Sequence, residues 1–329
     1  MFSVLCKVFF LDGGSTTIPI QKTDTVEVLL AAVVEKLEIQ HESNTFCLYE
    51  VNREWQSYLR PDVLPGEVKN SWNNDPDCYF LLRKRFFMHP ELPCDDPSAE
   101  TFIFAQVRED VLASRYEPTA DEAILLASYC VQIDFGNHNP THHKPGYLTR
   151  TIKNFIPEQL LPSRSPQAWE EAIFMKHQEL VDKSPEECKK AYLEVCRTWH
   201  YYGSTFFPVK YVSDGNRKLG IKVFISLNVQ GIHVLRNPSK EVLATFAYND
   251  VLSWGSSPRT FAFTAGEEHA QSKHTFDTRM GSEISSVIQG YIDLIIEEMN
   301  EVVEEDEPKV EETVPEPEPA EEQPAPAEE

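Results

Sequence analysis

The chain has 329 residues, 41% of them hydrophobic, and carries 53 acidic against 30 basic side chains for a net charge of −23. That length holds two or three domains with cores of their own, and the charge argues against nucleic acid, whose sequence-independent binding needs clustered Lys and Arg. No apolar run approaches the roughly 20 residues of a membrane-spanning helix.

The N-terminus MFSVLCKVFFLDGG is interrupted by Lys7 and Asp12 and lacks the flanks of a secretory signal. Seven cysteines lie scattered with no CxxC pair, so reduced thiols in a cytosolic protein are expected.

Residues 1–87 read as strand, strand, helix and further strands. CKVFFLD and TTIPIQ flank a turn at Asp12–Ser15, where Gly13 and Gly14 supply permissive backbone. Asp24 with Glu27 three residues later predicts a reciprocal helix cap. Val26, Leu29, Leu30, Val33, Val34 and Leu37 mark the apolar face of that helix. TFCLYEVN, REWQSYLRP and CYFLLRKRFF complete a small mixed sheet, in the order of a ubiquitin-like fold.

Residues 88–205 change to helix punctuation. Asp96-Pro97, Thr119 with Glu122, Ser165-Pro166 and Ser184-Pro185 with Glu187 each open a helix. Gly136 is expected to end the second, and the fourth to run to Gly203. This is an all-α bundle.

Residues 206–302 return to short β-rich runs: TFFPVKYV (beginning at Thr205), KVFISL, GIHVLR, LATFAY, TFAF and HTFDT. A long helix, GSEISSVIQGYIDLIIEEMNEV (281–302), follows. Its residues Ile284, Val287, Ile288, Tyr291, Ile295 and Met299 are spaced as one continuous buried stripe. A β-sandwich closed by a single long helix is a pleckstrin-homology or phosphotyrosine-binding (PTB) module. Residues 303–329 form an acidic Pro/Glu tail; from Glu301 onward thirteen acids stand against Lys309 alone, with no aromatic residue. Such a segment cannot bury enough apolar surface to offset its ordering entropy and is expected to be disordered.

No GxSxG, GxxxxGK[ST] or HExxH occurs, so no enzyme, cofactor or metal is expected. His138, His142 and His143 lie close together, but Asn139-Pro140 interrupts any helix and no nearby Cys or carboxylate completes a ligand set. The basic run Arg83-Lys84-Arg85 sits at a lobe junction and suits salt bridges between lobes better than a lipid face.

A ubiquitin-like lobe, an all-α, acyl-CoA-binding-protein-like bundle and a PTB-like sandwich, in that order, resemble a FERM domain. YFLLRKRFF resembles the family's junction into the bundle, AQVREDVLASRY with DEAILLASYCVQIDFG its paired helices, and YYGSTFFPVK its passage into the third lobe. IDFGNHNPTHHKPGYL, WGSSPRTF and IQGYIDLII are most similar to the heads of talins. Against that pattern, neither an extra ubiquitin-like lobe ahead of this one nor a helical rod after it is expected. The chain has Leu252-Ser253 before Trp254 where basic residues are usual, SPQAWEEA (165–172) where the bundle is basic, and Glu297, Glu298 and Glu301 where the last helix ends in lysines.

The resemblance implies an adaptor that binds NPxY-like motifs in the cytoplasmic tails of transmembrane adhesion receptors at the membrane–cytoskeleton interface. An extended peptide would add a strand beside the last helix. It implies a groove formed by Ser253, Trp254, Gly255, Ser256, Ser257 and Arg259, with His274 opposite and Ile292 and Ile296 on the helix; Leu252 and Phe261 could fill the core without Trp254. It places acidic lipid or a membrane-proximal tail at Arg217, Lys218 and Lys222, and a second cationic patch at His142, His143 and Lys144. Phosphoinositides and cytoskeletal proteins are the alternative partners. The acidic tail is expected to fold back over these cations and screen them.

Overall fold

In the computed structural model, described for residues 3–41, 43–214, 218–267 and 269–306, the chain forms twelve strands and seven α-helices in three lobes. The first lobe comprises β1 (Ser3–Phe9), β2 (Ser15–Gln21), α1 (Val26–Lys36), β3 (Phe46–Val51), β4 (Gln56–Tyr58), α2 (Pro65–Ser71) and β5 (Tyr79–Lys84). Its sheet has the order β2-β1-β5-β3-β4, with β1 and β5 parallel at the centre, and α1 buries Val26, Leu29, Val33 and Val34 against it. Leu30 and Leu37 are only half-buried.

Two details differ from the sequence reading. The cap of α1 is Thr25, not Asp24, and it makes no side-chain cap bond. The amides of Val26 and Glu27 are taken instead by the carbonyls of Val63 and Pro61, at 2.8 and 3.1 Å, which leaves Asp24 to accept from Gln21 N–H. Helix α2 has no apolar period to announce it.

The second lobe holds α3 (Pro97–Leu112), α4 (Ala120–Phe135), α5 (Pro166–His177) and α6 (Pro185–Arg197). Asp96 and Ser165 cap α3 and α5, and full capping boxes open α4 and α6, each satisfying amides that have no intrahelical partner. Gly136 ends α4 as its punctuation predicts. Helix α6 stops at Arg197, short of Gly203, because Thr198 onward turns toward the third lobe.

That lobe is a seven-stranded antiparallel sheet in the order β10-β11-β12-β6-β7-β8-β9. Its strands are β6 (Thr205–Ser213), β7 (Lys218–Asn228), β8 (Gly231–Arg236), β9 (Val242–Phe246), β10 (Val251–Ser257), β11 (Thr260–Ala265) and β12 (Ser272–Asp277). Helix α7 (Gly281–Asp306) closes it, running four residues beyond Val302. The expected stripe is buried only as far as Tyr291: Ile295 is half-buried and Met299 is 64% exposed. The rest of the acidic tail, 307–329, lies outside the described residues.

The lobes meet at the basic run. Arg83 binds Asp110 and Glu109 of the second lobe at 3.1 and 3.3 Å. The Lys84 ammonium donates to Thr45 Oγ1, and its backbone N–H and C=O are both paired with the Gln106 carboxamide. Arg85 reaches Ser286 and Glu283 of α7. All three side chains are buried, which agrees with a structural role for this run. The Tyr291 hydroxyl sits 3.4 Å from both Phe87 N and Gly203 O, so one atom joins the entry and exit of the helical lobe. All seven cysteines are free thiols, and no helix among the described residues is long and apolar enough to cross a membrane.

Candidate peptide-binding groove

Strand β10 is an edge strand, paired only with β11, and its other edge has no strand partner among the described residues. In register, Ser253 faces Thr264, Trp254 faces Phe263, Gly255 faces Ala262, Ser256 faces Phe261 and Ser257 faces Thr260. Alternation turns Trp254 inward, where it lies half-buried against the lobe's core, while Ser253 and Gly255 are exposed. A bulge between Val251 and Ser253 throws Leu252 outward at 51% exposure, so Leu252 is no core residue; Phe261 is fully buried.

Helix α7 packs against β10 and, by the residues that meet at its two ends, runs antiparallel to it. At one end a Cβ on Gly281 would stand 2.8 Å from Ser256 Cβ, and at the other Tyr291 stacks on Tyr248 with centroids 6.1 Å apart. The start of α7 therefore abuts Ser256, and the helix runs back past Tyr248. Ile292 is half-buried, and Ile296, one turn on, is 51% exposed. Arg259 lies beyond the strand, in the β10–β11 turn, with its carbonyl accepting from Thr278 N–H at 2.9 Å.

Two expected site residues lie elsewhere. His274 is 6% exposed on the inner face of β12, stacked on Phe263 and bonded through Nδ1 to the Tyr211 hydroxyl. It is a core residue, because Phe263 and His274 share a register position facing inward. His143 is 7% exposed and packs against His138, Phe174 and His177. It cannot meet a membrane, whereas its neighbours His142 and Lys144 are exposed.

Lys218 and Lys222 are exposed on β7, and Lys222 stands opposite exposed Lys210 of β6. Lys210 went unnoticed in the sequence because only strand pairing brings it beside Lys222. Arg217 lies outside the described residues.

The acidic departures also acquire a physical reason. Glu297 accepts from Asn44 of the first lobe at 3.4 Å, and Glu298 meets His89 at 2.6 Å. Glu170, in SPQAWEEA, is 3% exposed and accepts backbone N–H bonds from Gly146, Leu148 and Thr149 at 2.6, 2.5 and 3.0 Å. These acids fasten one part of the molecule to another.

The chain matches three family models in succession: an RA-like domain over residues 3–86, the FERM central domain over 90–207, and the IRS-1-type PTB domain over 181–296. It is 32% identical to the talin of Oscarella pearsei over 66% of this chain and 8% of that protein. It is 25% identical to talin-1 of Gallus gallus over 89% of this chain and 12% of that protein. Among solved structures, the complex of the FERM and C-terminal domains of Drosophila Merlin has a TM-score of 0.73 at 19% identity, covering 91% of this chain and 98% of that one. The chain thus spans about a tenth of the length of the talins it resembles. With the three lobes in this order and talins among its relatives, the chain is a FERM-domain protein of talin-like type.

Proposed function

We propose that this protein is a non-enzymatic adaptor that captures the cytoplasmic tails of transmembrane adhesion receptors, with an NPxY-like peptide added as a strand to β10. The observation that carries this reading is the unpaired edge of β10 alongside α7. There the peptide backbone supplies hydrogen bonds and the groove supplies specificity. Trp254, Ser253, Gly255, Ser256 and Ser257 form the strand wall and Ile292 and Ile296 the helix wall.

Ser253 offers no cation to stack on an aromatic anchor of the peptide, so the preferred motif differs from one selected by basic residues at this position. The test is fluorescence anisotropy of a labelled NPxY-containing receptor-tail peptide titrated with the full chain. Saturable binding weakened at least tenfold by Trp254→Ala is expected; equal binding by both proteins would sink the groove.

A second reading has an observation of its own. Lys210, Lys218 and Lys222 share adjoining strands, a cluster suited to a phosphoinositide headgroup or to acidic residues near a membrane. Salt-sensitive sedimentation with anionic vesicles, lost on Lys210→Glu with Lys222→Glu, would support it. The acidic tail would then compete for the same lysines, and its deletion would strengthen vesicle binding at low salt.

A further inference from the structure

The loop between α4 and α5 is held to α5 at two points on one face of the helix, two turns apart: Glu170 gathers residues 146–149, and His177, seven residues on, lies against His138 and His143. His138 and His143 of that loop meet His177 with one ring nitrogen from each lying within 4.8 Å of the others. We propose that His138, His143 and His177 form a binding site for a divalent transition ion of the zinc class, which staples the loop to α5.

The hydrogen bonds around the rings support this. His177 Nε2 lies 2.9 Å from two acceptors, the Gln132 side-chain oxygen and the Gly136 carbonyl, so that nitrogen carries the proton. Gln132 is itself fixed, since its amide donates to Asn137 and to the Lys183 carbonyl. Nδ1 of His177 is left as a bare lone pair, buried and without a partner, on a residue that is 0% exposed. Outer-shell acceptors that fix the tautomer in this way are what ligating histidines have.

His138 Nδ1 is likewise buried and without a partner. Its Nε2 lies 3.4 Å from the Gln178 carboxamide, which can present either its oxygen or its nitrogen and so suits either tautomer. His143 is the costlier ligand, because its Nδ1 accepts from Asn139 N–H at 3.1 Å and ring or loop must readjust to engage an ion.

Neutral imidazoles without thiolate or carboxylate suit zinc, copper, nickel or cobalt over calcium or magnesium. Tetrahedral ligation at about 2.0–2.1 Å brings nitrogens to roughly 3.3 Å from one another, so from separations of at most 4.8 Å the loop closes by up to about 1.5 Å on binding. Two ligands come from the loop and one from a helix some 35 residues later, which hides the set from any local motif.

The test titrates Zn2+ into the metal-stripped full chain, reading heat of binding and thermal midpoint, with Co2+ absorption reporting coordination. One ion per chain and a midpoint that rises with Zn2+ are expected. Affinity should fall at least tenfold in His138→Ala and in the conservative His177→Gln, and hold in His142→Ala, the exposed neighbour outside the cluster. His138 stands on the loop, so its variant keeps the test valid should the buried His177 variant fail to fold. Absence of stoichiometric zinc at micromolar concentration would overturn the site, as would loss of binding in His142→Ala but not in His138→Ala.

Discussion

Gly290, in the middle of α7, is opposed by Phe86, and replacing it with alanine pits helix propensity against packing. In a helix interior, alanine is favoured over glycine by about 1 kcal/mol. A Cβ at 290, however, would stand 2.3 Å from Phe86 Cζ and 2.8 Å from Cε1, where carbons prefer about 3.5–4.0 Å. The ring must therefore retreat by more than an ångström, yet it is 7% exposed, set edge-on against Tyr291 at 5.0 Å and flanked by the Arg85 guanidinium. Overpacking of this kind costs about 1–3 kcal/mol, and the size of the required shift puts it at the upper end. Gly290→Ala should thus be less stable by about 1–2 kcal/mol in spite of its better propensity.

The assay is urea unfolding followed by circular dichroism, run as a double-mutant cycle with Phe86→Leu. In the leucine background the clash is relieved and alanine should stabilise, giving a coupling of at least about 1.5 kcal/mol. An alanine variant as stable as the parent, or the same effect in both backgrounds, would refute the reasoning.

Ser253→Lys restores a cation at the strand wall and should tighten an NPxY peptide severalfold in anisotropy titrations, with the gain lost when the peptide's aromatic residue is replaced by alanine. Glu170→Ala removes the acceptor of three backbone amides, that of Leu148 buried; a loss of about 1.5–3 kcal/mol is expected, with faster hydrogen exchange at Leu148 and Thr149. Gly203 has φ of +75° and would place a Cβ 2.6 Å from Phe87 Cβ, so Gly203→Ala should lower the thermal midpoint and loosen the second lobe from the third, read as faster tryptic cleavage near residue 203. Burial, aided by His200, pushes His233 down to about 4, so between pH 6.5 and 4 the unfolded chain takes up the proton first. Stability from this group is present above pH 6.5 and falls on acidification by up to about 1.4 kcal/mol per pH unit; His233→Gln should flatten that dependence in urea midpoints.

Much of the architecture could be read from the sequence because its signals are local. Asp96, Thr119, Ser165 and Ser184 each sit within three residues of the amides they satisfy, and the alternation in TFAF and HTFDT is itself the strand period. What was not legible depended on distant partners. The true start of α1 is set by carbonyls some 35 residues later, and α2 buries only Pro65 and Gly66, which give no helical pattern. The edge strand was legible in WGSSPRTF. His274 was misplaced because facing inward or outward is a matter of register with β11, and the histidines at 138–143 were set aside as ligands because the third member of their cluster, His177, enters from another helix.

The hydroxyl of Tyr291, touching Phe87 N and Gly203 O together, gives the molecule the geometry of a tripod rather than of beads on a string. The β10 edge and the lysine-bearing β6–β7 face share one seven-stranded sheet, so the angle between them is settled before anything binds, and the junction holds the other two lobes around that sheet. A tail emerging from a bilayer would meet both surfaces at a preset aim. Engaging the second after the first would then take little further loss of rotational freedom, and the two contacts would reinforce each other multiplicatively.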